Sequence, residues 1–133
     1  MKVAIVIPVF NRPNYVKQCF DSLRAANVPH GTMFVIVDDA SMDKEIEPMI
    51  WEFRKQSIAK FIKVFPLTNN TNLGVRGSLL KGIQHGIELG ADLIINLDSD
   101  AIVKPDFVQR LTALHCTDRI CGGFNNPHEP ILE

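Results

Sequence analysis

Short apolar runs alternate with helix-period segments along the chain. The runs are rich in Val, Ile and Phe, residues that favour strands, and each is only a few residues long. They predict five strands, at residues 2–8, 32–37, 61–65, 92–97 and 119–124. Because these runs are apolar at successive positions and are separated by helices, they predict a mainly parallel sheet covered on both faces.

The segments between the strands carry apolar residues at helical spacing. The faces of the first two helices are Tyr15, Val16, Cys19, Phe20, Leu23 and then Ile46, Met49, Ile50, Phe53. A third helix is predicted from Gly77 to Leu89, with the apolar residues Leu79, Leu80, Ile83 and Ile87. A fourth is expected after Pro105, because proline suits the first helical turn. In the third segment small residues recur every four positions and predict close packing against a neighbour: Ser78, Gly82, Gly86 and Gly90.

Composition narrows the class of protein. The 133 residues suffice for one domain, 1–133, and the net charge of −1 gives no reason to expect nucleic acid or an anionic membrane as main partner. The three cysteines form no pairing pattern, which favours reduced thiols and a cytoplasmic protein. The four histidines lack metal-ligand spacing, and we expect the apolar run after Met1 and Lys2 to be a first strand rather than a signal peptide.

Ligands of parallel α/β sheets bind beyond the carboxyl ends of the strands, so the strand-end segments are the candidate site. The first segment, Pro8-Val9-Phe10-Asn11-Arg12-Pro13, lacks the glycines of a dinucleotide-binding turn, and no phosphate-binding GxxxxGK[ST] occurs. Hydride-transfer enzymes and P-loop NTPases are therefore poor fits. Asn11 or Asn14 could instead simply cap the following helix.

Acidic and polar residues follow the second and third strands. Asp38 and Asp39 are adjacent, so on an extended chain they point in opposite directions and one of them is expected to be structural. Ser41 or Asp43 could cap the next helix. The loop 69–77 contains Gly74 and Arg76 near a helix start, where an anion would be favoured, although an ordinary loop would explain it too.

After the fourth strand comes Asn96-Leu97-Asp98-Ser99-Asp100. In an extended segment residues i and i+2 project to one side, so Asp98 and Asp100 are expected to converge. Two close carboxylates resist joint ionisation unless a cation lies between them. Mg²⁺ and Mn²⁺ accept one or two carboxylates together with substrate phosphates, so a bound diphosphate would complete this site. A turn cap and a solvated aspartate remain the alternative.

Together these segments resemble the family-2-like glycosyltransferases with the GT-A fold. The residues that carry the resemblance are IVIPVFNRP at 5–13, VIVDDASMD at 35–43, NLGVRGSLLKGI at 72–83 and IINLDSDAIVKPDF at 94–107. The resemblance implies a three-layer α/β/α fold and a transferase that moves a sugar from a nucleotide-diphosphate-sugar donor to an acceptor hydroxyl.

The resemblance also implies residue roles. Pro8, Phe10, Asn11 and Arg12 would line the nucleoside pocket, where the family often has Tyr in place of Phe10. Asp39 would contact the base with Asp38 beside it, and Gly74 and Arg76 would lie near the diphosphate. Asp98 and Asp100 match the family's DxD motif, which holds Mn²⁺ or Mg²⁺ and touches the ribose; Asp100 is the expected direct metal ligand.

The acceptor side is missing from this pattern. The family's acceptor base follows the fifth strand, whereas this chain ends at Glu133, with His128 and Glu129 as its only late candidates, so no catalytic base can be assigned. A single nucleotide-sugar-binding domain lacking most of the acceptor-binding half is expected, either as part of a longer enzyme, as a shortened non-catalytic protein, or completed by a partner chain. The acceptor itself is an unspecified glycan, lipid or protein.

Competing classes share some of these features. A non-catalytic nucleotide-binding module would keep every donor-side residue. A phosphotransfer enzyme of the haloacid dehalogenase type would explain Asp98 and Asp100, but its motif normally ends the first strand. A receiver domain needs an acidic pair after the first strand, where this chain has Pro8-Val9-Phe10. A structural or interaction-only α/β domain remains open.

Overall fold

The computed structural model describes residues 1–114, and its centre is a four-stranded, all-parallel sheet. The strands are β1 (Val3–Val9), β2 (Met33–Asp38), β3 (Lys63–Thr68) and β4 (Leu93–Asn96), in the order β3-β2-β1-β4. Every residue of β1 and β2 is buried, which accounts for their continuous apolar sequence. The predicted parallel sheet is confirmed, and the predicted fifth strand lies outside the described residues.

The third strand starts two residues later than the sequence pattern predicts. Phe61 has φ 58°, and the amide of Ile62 still donates to the carbonyl of Ser57. Residues 61 and 62 therefore close the turn after a helix, and the extended chain begins only at Lys63.

Helices lie on both faces of the sheet. On one face, α1 (Pro13–Ala25), α2 (Ile46–Ile58) and α4 (Phe107–Leu114) share a core with alternate residues of β1 such as Ile5 and Ile7. On the other, α3 (Gly74–Glu88) packs over Val6. The expected three-layer α/β/α arrangement is confirmed. Within residues 1–114, no helix combines the length and the apolar character needed to cross a membrane.

The apolar faces of α1 and α2 are confirmed with one exception. Tyr15 is 52% exposed, because it lies about 100° around the helix from the fully buried Val16. The predicted fourth helix is also confirmed, although it begins at Phe107, two residues beyond Pro105.

Helix α3 departs most from its prediction. It begins at Gly74, not Gly77, and its expected apolar residues Leu80 and Ile87 are 56% and 57% exposed. Its buried residues are instead Ser78, Gly82 and Gly86. A Cβ on Gly82 would lie 2.3 Å from Cγ1 of Val6, so the helix approaches the sheet too closely for larger side chains.

The predicted close packing of small residues is therefore confirmed for three of the four positions. Gly90 is exposed and lies beyond the end of α3 with φ 86°. Its role is to let the chain turn out of the helix, a conformation that glycine adopts without steric cost.

Candidate functional site

The polar segments predicted as the site meet at one edge of the sheet. Since all four strands are parallel, their carboxyl ends share that edge, and the loops that begin at Phe10, Asp39, Asn69 and Leu97 leave from it. A cleft of about 540 Å³ opens there between the loops after β2 and β3, with Asp38, Ser41, Glu47 and Asn70 in its lining. Asp98 and Asp100 do not line this cleft.

The loop after β1 has an unusual backbone. Asn11 and Arg12 have φ of 52° and 56°, in the left-handed region that non-glycine residues seldom adopt. Phe10 and Arg12 are exposed, whereas Pro8 is buried inside β1 opposite Val37. The left-handed pair turns the chain sharply, so Phe10 and Arg12 project into solvent at the edge of the sheet.

Asn11 fastens this loop to the next one. Its Oδ1 accepts the backbone amides of Met42 at 2.8 Å and Asp43 at 3.1 Å, and its own amide donates to Oγ of Ser41 at 2.8 Å. Helix α1 has no side-chain cap, so the alternative that Asn11 or Asn14 caps it is wrong. The residue before α2, Glu45, makes no side-chain cap bond, but Oδ1 of Asp43 accepts the amide of Glu45 at 2.9 Å in the turn that leads into the helix. Of the two predicted caps, Asp43 therefore binds an amide at the start of α2, whereas Oγ of Ser41 bonds to Asn11 instead.

Asp38 and Asp39 diverge as the strand geometry predicts. Asp38 is 7% exposed, and its Oδ1 accepts the amide of Ser41 within its own loop at 3.0 Å. Asp39 is 3% exposed and turns towards the loop after β3. Its Oδ1 accepts Nδ2 of Asn69 at 2.9 Å and the backbone amide of Leu73 at 2.6 Å. Asp38 therefore shapes one loop, whereas Asp39 joins two.

A buried polar network surrounds Asp39. Asn69 donates through Nδ2 to Oγ of Ser78 at 3.0 Å as well, and its Oδ1 accepts Nζ of Lys81 at 2.7 Å. Burial alone would raise the pKa of Asp39, but hydrogen bonds from Leu73, Asn69 and Ser78 lower that pKa below its ordinary value of 3.8. Asp39 is therefore ionised at neutral pH and held in one orientation.

The start of α3 lies beside this network. Gly74 is the first residue of the helix, with φ 79°, and its amide donates to Oδ1 of Asn72 at 2.9 Å. Arg76 is exposed in the first turn. The N-terminus of a 15-residue helix and an exposed guanidinium both favour binding of an anion at this position.

Asp98 and Asp100 do not lie on an extended strand. Strand β4 ends at Asn96, and the amide of Ala101 donates to the carbonyl of Asp98 at 3.1 Å to close a turn. The alternation of side chains along a strand therefore does not apply, and that reason for their convergence is wrong. Both aspartates are exposed, so their carboxylates are open to solvent.

Helix α1 supports the segment that carries this turn. Sγ of Cys19 donates to the carbonyl of Asp98 at 3.8 Å, and the amide of Val103 donates to Oγ of Ser22 at 3.1 Å. Further along, the amide of Asn27 donates to the carbonyl of Pro105 at 2.8 Å. Residues 98–105 are thus attached by hydrogen bonds at two places to α1 and at a third to the segment that directly follows it.

Cys19 remains a thiol in this environment. Burial, reinforced by the negative charges of Asp100 and Asp98, raises its pKa to about 12. It is a free, buried cysteine, as the sequence predicts for it, and it stays protonated at neutral pH as the donor to Asp98.

The residues present fit a divalent cation only in part. Among residues 1–114, no group of three or more His, Cys, Asp or Glu side chains could enclose a metal ion. Two exposed carboxylates provide the hard oxygen ligands that Mg²⁺ and Mn²⁺ prefer, and a phosphate-bearing ligand could add the others. His128 and Glu129 lie outside the described residues.

Several residues with site contacts were missed by sequence reasoning. Asn69 directly follows β3 at the carboxyl edge, the same signal that identified Asp39, and could have been found. Ser78 and Lys81 are recognisable only once α3 is known to start at Gly74. Cys19 and Ser22 belong to a helix face, and nothing in their spacing links them to Asp98 or Val103.

Comparison with known proteins agrees with the fold. The model of the family "Glycosyl transferase family 2" matches residues 4–127. An undecaprenyl-phosphate mannosyltransferase of Micrococcus luteus is 29% identical over 96% of this chain and 50% of its own length. An undecaprenyl-phosphate 4-deoxy-4-formamido-L-arabinose transferase of Klebsiella pneumoniae is 30% identical over 84% of this chain and 33% of its own length. The chain thus spans half or less of these relatives.

Solved structures show the same fold. A mannosyltransferase of Pyrobaculum calidifontis, in complex with GDP-Man and Mn²⁺, has a TM-score of 0.71 at 16% identity, over 84% of this chain and 31% of that one. S. aureus TarS in complex with UDP-GlcNAc has a TM-score of 0.67 at 19% identity, over 85% of this chain and 30% of that one. These neighbours support the expected GT-A fold. With the family model matched over most of its length, the chain belongs to glycosyl transferase family 2.

Proposed function

We propose that this chain binds a nucleotide-diphosphate sugar as the donor-binding part of a glycosyltransferase, with a divalent cation, Mn²⁺ or Mg²⁺, held at Asp98 and Asp100. The observation that carries the proposal is the location of two acidic groups at one edge of a parallel sheet, in a chain of this family. Asp39 is buried and fixed by hydrogen bonds, and the DxD aspartates are exposed.

Each strand-end segment has a part in this proposal. Asp39 accepts a hydrogen bond from the base, because its ionised carboxylate is pre-oriented, and Asp38 supports the same loop. Phe10 and Arg12 flank the nucleoside, while Pro8 and Asn11 shape the loop that carries them. Arg76, in the first turn of α3, neutralises part of the charge of the diphosphate, which lies near Gly74 at the N-terminus of that helix.

Asp98 and Asp100 would hold the cation, with Asp100 as the direct ligand and Asp98 also close to the ribose. When bound, the cation acts as a Lewis acid that stabilises charge on the departing nucleoside diphosphate. The chain's own contribution is to orient the donor and to present two carboxylates on a turn fixed to α1. The sugar would then be transferred to an oxygen of the acceptor, either a hydroxyl or, if the acceptor is a lipid phosphate, a phosphate oxygen.

Calorimetry with UDP, GDP, CDP and dTDP, in Mn²⁺ and in chelator, tests the donor site. At least one nucleotide should bind in Mn²⁺, and chelator or Asp100→Asn should weaken that binding. Asp21→Asn is the matched control, because Asp21 is an exposed aspartate on α1. If no nucleotide binds, or if Asp100→Asn binds as tightly as the unaltered chain, the site assignment is wrong.

A non-catalytic donor-binding module is the second candidate function, since every assigned residue lies on the donor side. Donor turnover separates the two functions. The names of the relatives make undecaprenyl phosphate the first acceptor to test. Consumption of donor that depends on acceptor supports a transferase, and tight binding with no turnover supports the module.

A further inference from the structure

A group of exposed apolar and cationic residues lies away from the donor site. Helix α2 leaves the carboxyl edge of the sheet after β2 and ends at the opposite edge, before β3. Along one side of α2 from its middle onwards, and in the turn that follows, are six exposed residues, here called the α2 patch: Trp51, Arg54, Lys55, Ile58, Lys60 and Phe61.

The first four members form a stripe along the helix. Residues 51, 54, 55 and 58 follow the spacing i, i+3, i+4, i+7, which places their side chains on one side of α2. Trp51 is 48% and Ile58 61% exposed, and the guanidinium of Arg54 lies 5.1 Å from the centre of the Trp51 ring. Glu52 is not at a stripe position, and its Oε1 accepts Nε2 of Gln56. The stripe from Trp51 to Ile58 thus carries no acidic residue.

Phe61 is exposed at an energetic cost. Its φ of 58° lies in the left-handed region, where a bulky side chain is strained and glycine or asparagine would fit more easily. Its backbone is fixed there, because its amide donates to the carbonyl of Ile58 and its carbonyl accepts the amide of Gly31. Its ring centre lies 5.6 Å from that of His30, yet Phe61 remains 76% exposed. Beyond this one ring contact, folding gains little from a phenylalanine at this position, so its presence indicates an interaction outside the fold.

We infer that the α2 patch docks the protein on the surface of an anionic phospholipid bilayer. Aromatic and aliphatic side chains interleaved with Lys and Arg are typical of helices that lie in the membrane interface. The cores of protein–protein interfaces are depleted of lysine, which makes a protein partner the poorer fit for Lys55 and Lys60. Lys60 also donates to the carbonyl of Arg24, which holds its ammonium group at the turn.

The local charge of the patch differs from the total charge of the chain. The net charge of −1 gave no reason to expect an anionic membrane, but residues 51–63 contain the cations Arg54, Lys55, Lys60 and Lys63 and a single acid, Glu52. Membrane attraction acts within about 10 Å of the surface, so the local charge decides it. Because the patch runs from the middle of α2 to the edge opposite the donor site and contains none of the proposed donor residues, the inference does not depend on the proposed function.

Trp51 is the only tryptophan of the chain, so its fluorescence reports on the patch directly. The full chain is titrated with phosphatidylcholine vesicles, with and without phosphatidylglycerol. Vesicles containing phosphatidylglycerol should shift the emission of Trp51 to shorter wavelength and sediment the protein, and high salt should weaken both effects. Phosphatidylcholine alone should do neither.

Two variants and one matched control locate the contact. Ile58→Ser should weaken vesicle binding about tenfold, the value expected for one lost buried aliphatic side chain, and Phe61→Asn should do the same while tolerating the left-handed backbone. Ile87→Ser is the control, because Ile87 is also an exposed isoleucine near a helix end, on the other face of the sheet. Thermal melts confirm that each variant is folded.

The proposal is overturned if phosphatidylglycerol vesicles leave the emission of Trp51 unchanged, or if Ile87→Ser weakens binding as much as Ile58→Ser. Self-association of the chain that Phe61→Asn abolishes, without any vesicle binding, would identify the patch as a protein interface instead. Equal binding to both kinds of vesicle would show that the cations are not used and would also contradict it.

Discussion

At the end of β2, Asp39 is 3% exposed and its Oδ1 accepts two hydrogen bonds from the loop after β3, whereas at the end of β4, Asp98 and Asp100 are exposed on a turn. The first acidic group is fixed by bonds to its side chain. The second is fixed through the main chain, by the thiol of Cys19 and the hydroxyl of Ser22, which leaves its carboxylates open. A rigid buried acid suits recognition of one hydrogen-bond pattern, and exposed acids on a supported turn suit capture of a cation.

Loss of Asp39 should have the largest effect. Asp39→Ala leaves the amide of Leu73 and the side chain of Asn69 without their acceptor in a buried site, so the free energy of unfolding should fall by about 3 kcal/mol in urea titrations. Asp38→Ala is the control, because Asp38 is also buried but accepts one hydrogen bond within its own loop, and it should cost about 1 kcal/mol. Equal losses of unfolding free energy in the two variants would show that the additional hydrogen bonds of Asp39 do not stabilise the fold.

Acid should remove part of the same stabilisation. The folded pKa of Asp39 lies below its ordinary value of 3.8, so its contribution is complete above that value and is lost as the pH falls through the folded pKa. The difference in unfolding free energy between the unaltered chain and Asp39→Asn should therefore shrink below about pH 4. A difference that stays constant from neutral to acid pH would contradict the lowered pKa.

Ser22→Ala should have an intermediate effect, because it removes one of the hydrogen bonds between α1 and the segment that carries Asp98 and Asp100. The amide of Val103 loses its acceptor, which should lower the unfolding free energy by about 1 kcal/mol and reduce the Mn²⁺-dependent part of nucleotide binding. Ser57→Ala is the control, because the hydroxyl of Ser57 bonds only to the carbonyl of Phe53 in its own helix. The control should leave nucleotide binding unchanged; a matching loss of binding would show that α1 does not position the turn.

Asp100→Ala should change stability least. An exposed carboxylate on a turn contributes within about 0.5 kcal/mol, so urea titrations should barely distinguish this variant from the unaltered chain. The rise in melting temperature on adding Mn²⁺ and nucleotide should nevertheless disappear. A destabilisation as large as that of Asp39→Ala would show that Asp100 supports the fold as much as the buried Asp39 does, which would contradict the comparison.

The sequence predicted those parts of the fold that depend on apolar periodicity. The buried strands and the faces of α1 and α2 follow directly from it, and so does the edge where Asp39 and Asp98 lie. The start and the buried face of α3 could not be predicted in this way. Its buried positions Ser78, Gly82 and Gly86 are small and not strongly hydrophobic, whereas its large residues Leu80 and Ile87 face solvent.

The site was predictable as a set of positions but not as a set of contacts. Asp98 and Asp100 were recognised from their spacing, yet the end of β4 at Asn96 changed the geometry that the spacing assumed. The bonds from Asn69 to Asp39 and from Cys19 to Asp98 join segments 30 and 79 residues apart, and such pairings arise only when the chain folds.

The close contact between Gly82 and Val6 fixes how near α3 lies to the sheet at that point. Gly82 lies eight residues, or about 12 Å, from Gly74, where the helix meets the Asp39 network. A larger side chain at residue 82 would tilt the whole helix about this contact, and the tilt would displace its N-terminus at Gly74. A methyl group added deep under the helix, touching neither Asp39 nor any donor atom, could in this way change how the donor site is shaped.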